Sequence, residues 1–172
     1  MVPAATAATL VSVEEYLSST FRPDCDYVDG RVLERNVGKK NHSFVQTNLA
    51  FWFRTRAAQL AMMPFVEQRL QVAPGRFRIP DVLVVRQPVP DEQVFTTAPY
   101  LCIEVMSPED TMSSLQDRVD DYIQLGVVNV WVIDPWRGRA WTVDAAGWHT
   151  ALDGFLRTVD KSVAMPLEDV LP

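Results

Sequence analysis

Two apolar runs, Ile79-Pro80-Asp81-Val82-Leu83-Val84-Val85 and Leu101-Cys102-Ile103-Glu104-Val105-Met106, decide how this chain folds. Each is too short for a helix and bounded by turn residues, and each is apolar at successive positions. Strands read this way when a sheet is covered on both sides. Val130-Trp131-Val132-Ile133 repeats the pattern, and Phe65 to Val72 and Ala140 to Val143 read as two further strands. Between them, Leu115 to Leu125 has helical spacing and ends at Gly126, a C-terminal cap residue. Upstream, Asn41 to about Gln59 sets Val45, Leu49, Trp52 and Phe53 on one stripe, with Phe44 beside it, the longest predicted helix. Tyr27 to Leu33 encloses Asp29-Gly30, a hairpin turn, and Ser12-Val13-Glu14-Glu15 is a capping box that opens a short helix. Helices alternate with groups of strands, so the fold class is α/β, a central mixed β-sheet flanked by helices.

Composition sets the outer bounds. The 172 residues include 48% apolar and 22% charged residues and 2 Cys, an ordinary globular composition. One domain over residues 1–172 is expected, with a short N-terminal helix and a C-terminal surface tail from Lys161. No run reaches the roughly 18 apolar residues of a membrane helix, and the apolar opening from Met1 to Leu10 lacks the basic start of a signal peptide. The expectation is a cytoplasmic protein without membrane contact, with Cys25 and Cys102 reduced. Net charge is −6 but polarised, with 11 basic and 8 acidic residues in 1–86 and 5 against 14 in 87–172. Arg31, Arg35, Lys39, Lys40, Arg54, Arg56, Arg69, Arg76, Arg78 and Arg86 could share one phosphate-binding face or be an ordinary solvated surface.

Asp81 and Glu104 are carboxylates in or beside apolar strands, and burying each costs several kcal/mol without compensation. If the strands are neighbours, both side chains converge, and a hard ion such as Mg²⁺ or Mn²⁺ would compensate them. A salt bridge from each to a nearby Arg would do so without metal. Neither a glycine-rich phosphate loop nor a Cys/His zinc spacing is present, and nothing beside Ser107 completes a Ser-His-Asp set. Trp131, Trp136, Trp141 and Trp148 read as packing residues rather than base-stacking ones.

The spacing from Asp81 to Glu104 resembles that of the PD-(D/E)XK nuclease superfamily. Tyr27-Val28-Asp29-Gly30, His42, Ile79-Pro80-Asp81-Val82, Ile103-Glu104-Val105-Met106-Ser107-Pro108, Asp110-Thr111, Tyr122-Ile123-Gln124-Leu125-Gly126-Val127 and Val130-Trp131-Val132-Ile133-Asp134-Pro135 together resemble the bacterial Uma-two family, from about Ser12 to about Val143. The resemblance implies a restriction-endonuclease-like fold and a Mg²⁺- or Mn²⁺-dependent site that hydrolyses DNA, with a homodimer to match a duplex. It implies metal ligands at Asp81, Glu104 and the Val105 carbonyl. It adds Asp26, where the family usually has Glu, and His42 at the start of the long helix. The superfamily lysine is absent, since Met106 stands in its place, and the family's helical alternative corresponds to Arg118. At 100° per residue Arg118 falls beside the apolar stripe of Leu115, Val119 and Tyr122, with Asp117, Asp120 and Asp121 expected to point away. Arginine stabilises anionic charge but cannot serve as a general base, so reduced activity is expected. Gln68 is a further side chain that could face the site. A protein that keeps the fold and binds nucleic acid or a protein partner without cleavage is the alternative.

Overall fold

The computed structural model describes residues 10–36 and 38–172. The apolar opening at residues 1–9, read above as no signal peptide, lies outside the described residues.

Three strand runs form the centre as expected: β6 (Val82–Arg86), β7 (Leu101–Val105) and β8 (Asn129–Asp134). They belong to a six-stranded mixed sheet in the order β10-β9-β8-β7-β6-β3, with β3 Met62–Val66, β9 Arg139–Asp144 and β10 Gly147–Thr150. Every pairing is antiparallel except β7 with β8, which are joined through the helix α4 (Met112–Leu125). That crossover requires a helix, because parallel neighbours cannot be linked by a tight turn.

Each face of the sheet carries its own core. On one side the helix α2 (Lys40–Thr55) packs Val45, Leu49, Trp52 and Phe53 onto Val82, Val84, Leu101, Ile103, Trp131 and Ile133. On the other, α4 packs Leu115, Val119 and Tyr122 onto Leu83, Val85, Cys102, Val130 and Val132. Alternate residues of each central strand serve opposite cores, which is why these runs lack a polar face. The helix stripe of α2 ends at Thr55, and the remaining predicted turn is a separate helix, α3 (Ala57–Leu60), closed by Ala61 in the left-handed region.

A second sheet of four strands, order β2-β1-β5-β4, stands beside α4. It comprises β1 (Asp26–Val28), β2 (Arg31–Leu33), β4 (Leu70–Ala73) and β5 (Arg76–Arg78), the first two being the expected hairpin. The first helix, α1 (Val13–Ser18), is capped by Ser12, whose Oγ accepts from Glu15 N at 3.1 Å. Its Tyr16 stacks on Tyr27 and packs at a tilt against Phe77 of this sheet.

Two expectations fail here. Phe65 to Val72 is not one strand but parts of β3 and β4 in different sheets. The chain turns at Glu67, whose φ of 51° is left-handed, and the polar run Glu67-Gln68-Arg69 is the break between the two strands. The C-terminal stretch is not a surface tail. The strand β12 (Ala164–Pro166) pairs with β11 (Phe155–Arg157), and Val163, Met165, Leu167 and Val170 are buried in the α2-side core. Val163, Met165 and Leu167 alternate at the strand period, a short signal that the flanking Pro166 and Lys161 obscured.

Among the described residues no helix is long and apolar enough to cross a membrane. Cys25 and Cys102 are both buried free thiols.

Candidate active site

The register of β6 on β7 pairs Val82 with Ile103 and Leu83 with Cys102. Continued by one residue, it sets Asp81 opposite Glu104 with both side chains on the α4 face. Both are almost fully buried, at 3% and 2% exposure, yet both line an open cleft of about 640 Å³. The cleft lies between the two sheets and α4, and Asp26, Arg35, His42, Val105, Asp110, Arg118 and Asp121 line it too.

Asp81 is held on three sides. Its Oδ2 accepts from Val105 N at 2.7 Å and lies 3.3 Å from His42 Nε2, and its Oδ1 accepts from Arg35 at 2.5 Å. Burial favours protonation, but the His42 bond and the Arg35 charge outweigh it and hold the carboxyl below its usual range. Reciprocally, burial disfavours the His42 imidazolium, and the bond to Asp81 more than offsets that, raising its pKa. His42 Nδ1 is buried without a hydrogen-bond partner among the described residues. A Cβ on Gly38 would lie 3.0 Å from that nitrogen, so a larger residue there would push on the ring.

Glu104 is balanced differently. Its Oε1 accepts from the Tyr122 hydroxyl at 2.6 Å, and its Oε2 lies 3.0 Å from Arg118 Nε. That N–H is not aligned on the oxygen, so the contact is ionic rather than a hydrogen bond. Arg118 is steadied from the other side by Asp110 Oδ1, at 3.2 Å. Burial pushes the Glu104 pKa up to about 7, with Arg118 opposing and Asp81 adding to the rise. Helical geometry therefore brings Arg118 to Glu104, one of the two sheet carboxylates expected.

Asp26 enters the cleft but is fully engaged. The register of β1 on β5 sets it opposite Arg78, whose Nη1 donates to Oδ2 at 3.0 Å, while Ile79 N donates to Oδ1 at 3.0 Å. Asp26 thus fixes the chain two residues before Asp81.

Asp121 contradicts the helical reading. It is buried, not turned away, and accepts from Arg78 Nε at 2.7 Å and Arg76 Nη1 at 2.8 Å. The second sheet covers this flank of α4 with two arginines, a partner that helical angles alone do not reveal. Asp117 and Asp120 face the cleft. Gln68 does not enter the site; its Nε2 donates to Gln93 O at 2.7 Å.

The basic residues of the first half do not form one track. Arg35, Lys39, Arg69, Arg76, Arg78 and Arg86 are all in ion pairs, with Asp81, Glu109, Asp24, Asp29 and Asp121, Asp26 and Asp121, and Asp160 respectively. Arg86 ends β6 at the opposite end from Asp81, and Arg54 and Arg56 lie at the far end of α2 from His42. Sequence reading did not single out Arg35, Arg78 or Asp110 as site residues. Their signals are dispersed in sequence, and only the tertiary fold joins them.

For a metal, the donor chemistry fits. Two carboxylates on facing strands with the backbone of Val105 beside them form a hard oxygen set, the kind that takes Mg²⁺ or Mn²⁺. No group of three or more His, Cys, Asp or Glu side chains closes around one point among the described residues, so water and substrate oxygens would complete the shell. Arg35 and Arg118 hold the oxygens that such an ion would use.

Comparisons with known proteins bear on the fold and the family. A solved structure from Anabaena variabilis ATCC 29413, titled as a "putative nuclease belonging to DUF820", superposes with a TM-score of 0.81 at 17% identity, covering 93% of this chain and 97% of that one. No curated protein matches the chain. The family model Uma2, described as "Putative restriction endonuclease", matches residues 13–155. With that match over most of its length, and with the restriction-endonuclease-like fold it shares with the Anabaena structure, the chain belongs to the Uma2 family.

Proposed function

We propose that the cleft is a divalent-metal-dependent phosphodiesterase site acting on DNA. The observation that carries this reading is the pair of buried carboxylates, Asp81 and Glu104, facing each other across β6 and β7 at the floor of an open cleft. Burying two acids side by side carries a desolvation cost, and a purely structural role is often served as well by apolar residues. Asp81, Glu104 and the Val105 carbonyl would hold Mg²⁺ or Mn²⁺. Such an ion supplies Lewis-acid stabilisation of a phosphoryl oxygen and a lowered pKa for water. Arg118 orients on Glu104 and stays protonated, so its part is to stabilise negative charge on the phosphate. His42 carries a proton on Nε2 toward Asp81 and fixes that carboxylate. Asp26 acts through Arg78 and the Ile79 amide, positioning the strand start. A two-fold pair of such chains would present two sites to a duplex.

Plasmid cleavage in Mg²⁺ or Mn²⁺ tests this. Asp81→Ala should abolish cleavage, and Arg118→Lys should raise it, because lysine can give up its proton where arginine cannot. Absence of cleavage by any variant, with no metal uptake in calorimetry, would sink the enzymatic reading.

A second reading is favoured by one specific observation. Both carboxylates already have a guanidinium partner, Arg35 for Asp81 and Arg118 for Glu104. A nuclease fold that binds nucleic acid or a protein partner without cutting would keep such a site neutral. DNA retention that falls with salt, without cleavage, would select it.

A further inference from the structure

We propose that Arg35 is a displaceable internal counter-cation, which neutralises Asp81 in the metal-free protein and swings toward Glu67 when a divalent ion takes Asp81 Oδ1. This rests on the metal reading above.

Three observations carry it. The first is which oxygen Arg35 occupies. Oδ2 of Asp81 is tied to Val105 N and to His42, whereas Oδ1 has Arg35 as its partner. Oδ1 is therefore the oxygen an incoming ion can use, and Arg35 stands on it.

The second is how differently the arginines of the cleft are held. Arg78 is clamped between Asp26 and Asp121, and Arg118 sits on α4 between Glu104 and Asp110. Arg35 belongs to the stretch between β2 and α2, outside any helix or strand, and among the described residues its one hydrogen bond goes to Asp81. Leaving Asp81 breaks that one hydrogen bond, while Glu104 and Asp26 attract the guanidinium only through space.

The third is that it has a place to go. Behind Arg35 lies a separate cavity of about 220 Å³, lined by Arg35, His42, Gln46, Glu67 and Asp81 among others. Gln46 spans it, donating through Nε2 to Glu67 Oε1 at 3.2 Å and to Asp81 O at 3.1 Å. A guanidinium turned off Asp81 would meet the carboxylate of Glu67 there. Such a switch keeps a buried carboxylate paired in both states, since an unpaired one is strongly destabilising. It also sets an affinity threshold for the metal, because the ion must displace a resident cation.

The test is a Mn²⁺ titration followed by electron paramagnetic resonance of the free ion, in the full chain and in Arg35→Gln, Arg35→Lys and Asp81→Asn. Arg35→Gln should bind Mn²⁺ about tenfold or more tightly, Arg35→Lys should stay closer to the unaltered protein, and Asp81→Asn should not bind. If Arg35→Gln binds no more tightly while Asp81→Asn loses binding, the counter-cation is overturned and the metal site stands. If the unaltered protein and Arg35→Gln both take up no Mn²⁺, the metal reading falls and this inference with it. Because Arg35→Gln could misfold, the unaltered protein supplies a second readout. The Arg35 guanidinium Nε–H signal in nuclear magnetic resonance should shift and exchange faster as Mg²⁺ is added. A signal that stays in place at metal saturation overturns the proposal.

Discussion

At Glu104 one carboxyl group links stability to pH. Its folded pKa of about 7 lies above the ordinary 4.5, so the folded state binds the proton more tightly than the unfolded chain does. Its contribution is fully present below about pH 4.5 and is lost as pH rises through about 7. Melting in a chelator across this window should show stability falling with pH, and Glu104→Gln should flatten that part of the slope. A metal ion needs the deprotonated form, so Mn²⁺ affinity should rise through the same window, with proton release on binding. A different outcome belongs to Asp121. Asp121→Ala leaves Arg78 buried beside Asp26 alone and Arg76 with Asp29 only, and should cost about 3–5 kcal/mol by urea unfolding. Asp120→Ala, at an exposed position on the rim of the cleft, should stay within about 0.5 kcal/mol.

Among the elements, α4 ties the molecule together, since it closes the β7–β8 crossover, carries Arg118 and Asp121 into the cleft and holds Glu104 from beneath through the Tyr122 hydroxyl. Its ends are set locally. Thr111 caps the start, with its hydroxyl accepting from Ser114 N at 3.1 Å, and Gly126 closes the end with φ at 104°. The space around Gly126 is open, with Ala98 Cβ at 4.0 Å from a built Cβ. Gly126→Ala should therefore cost only the conformational penalty, about 1 kcal/mol, seen as a lower urea midpoint with an unchanged slope. The Gly126 end was read from sequence, whereas the helix starts at Met112, three residues before the expected Leu115, behind a Thr111 cap that the apolar stripe does not mark.

For the whole molecule, the closing strand is a test of what the core requires. Met165 and Val170 are fully buried in the α2-side core, so Met165→Ala should cost about 2–5 kcal/mol. Removing residues 162–172 should abolish a cooperative thermal transition, as it also strips β12 from β11. Leu70 and Val72 of β4 join the second sheet to the α4-side core, and at the cleft charge adds to that apolar contact. Arg76 and Arg78 of β5 reach across to Asp121 of α4, and Asp29 and Asp26 return the pairing on the hairpin side. The basic excess of the first half is thereby largely consumed inside the protein, which is why composition alone overstated a phosphate-binding track.

The α/β class, the three central strands, the long helix and the Asp81/Glu104 pair were legible in the order of residues. Each is a periodic or local signal: apolar runs, a helical stripe, caps, and acids misplaced in apolar strands. Position was settled only by the fold. That Asp81 faces Glu104 follows from strand register, that Arg35 rather than a distant base neutralises Asp81 follows from the β2–α2 connection reaching the start of β6, and that Asp121 is buried follows from a second sheet lying against α4. Ion pairs between residues 43 to 52 positions apart leave no periodic trace, because charge finds its partner through space and not along the chain.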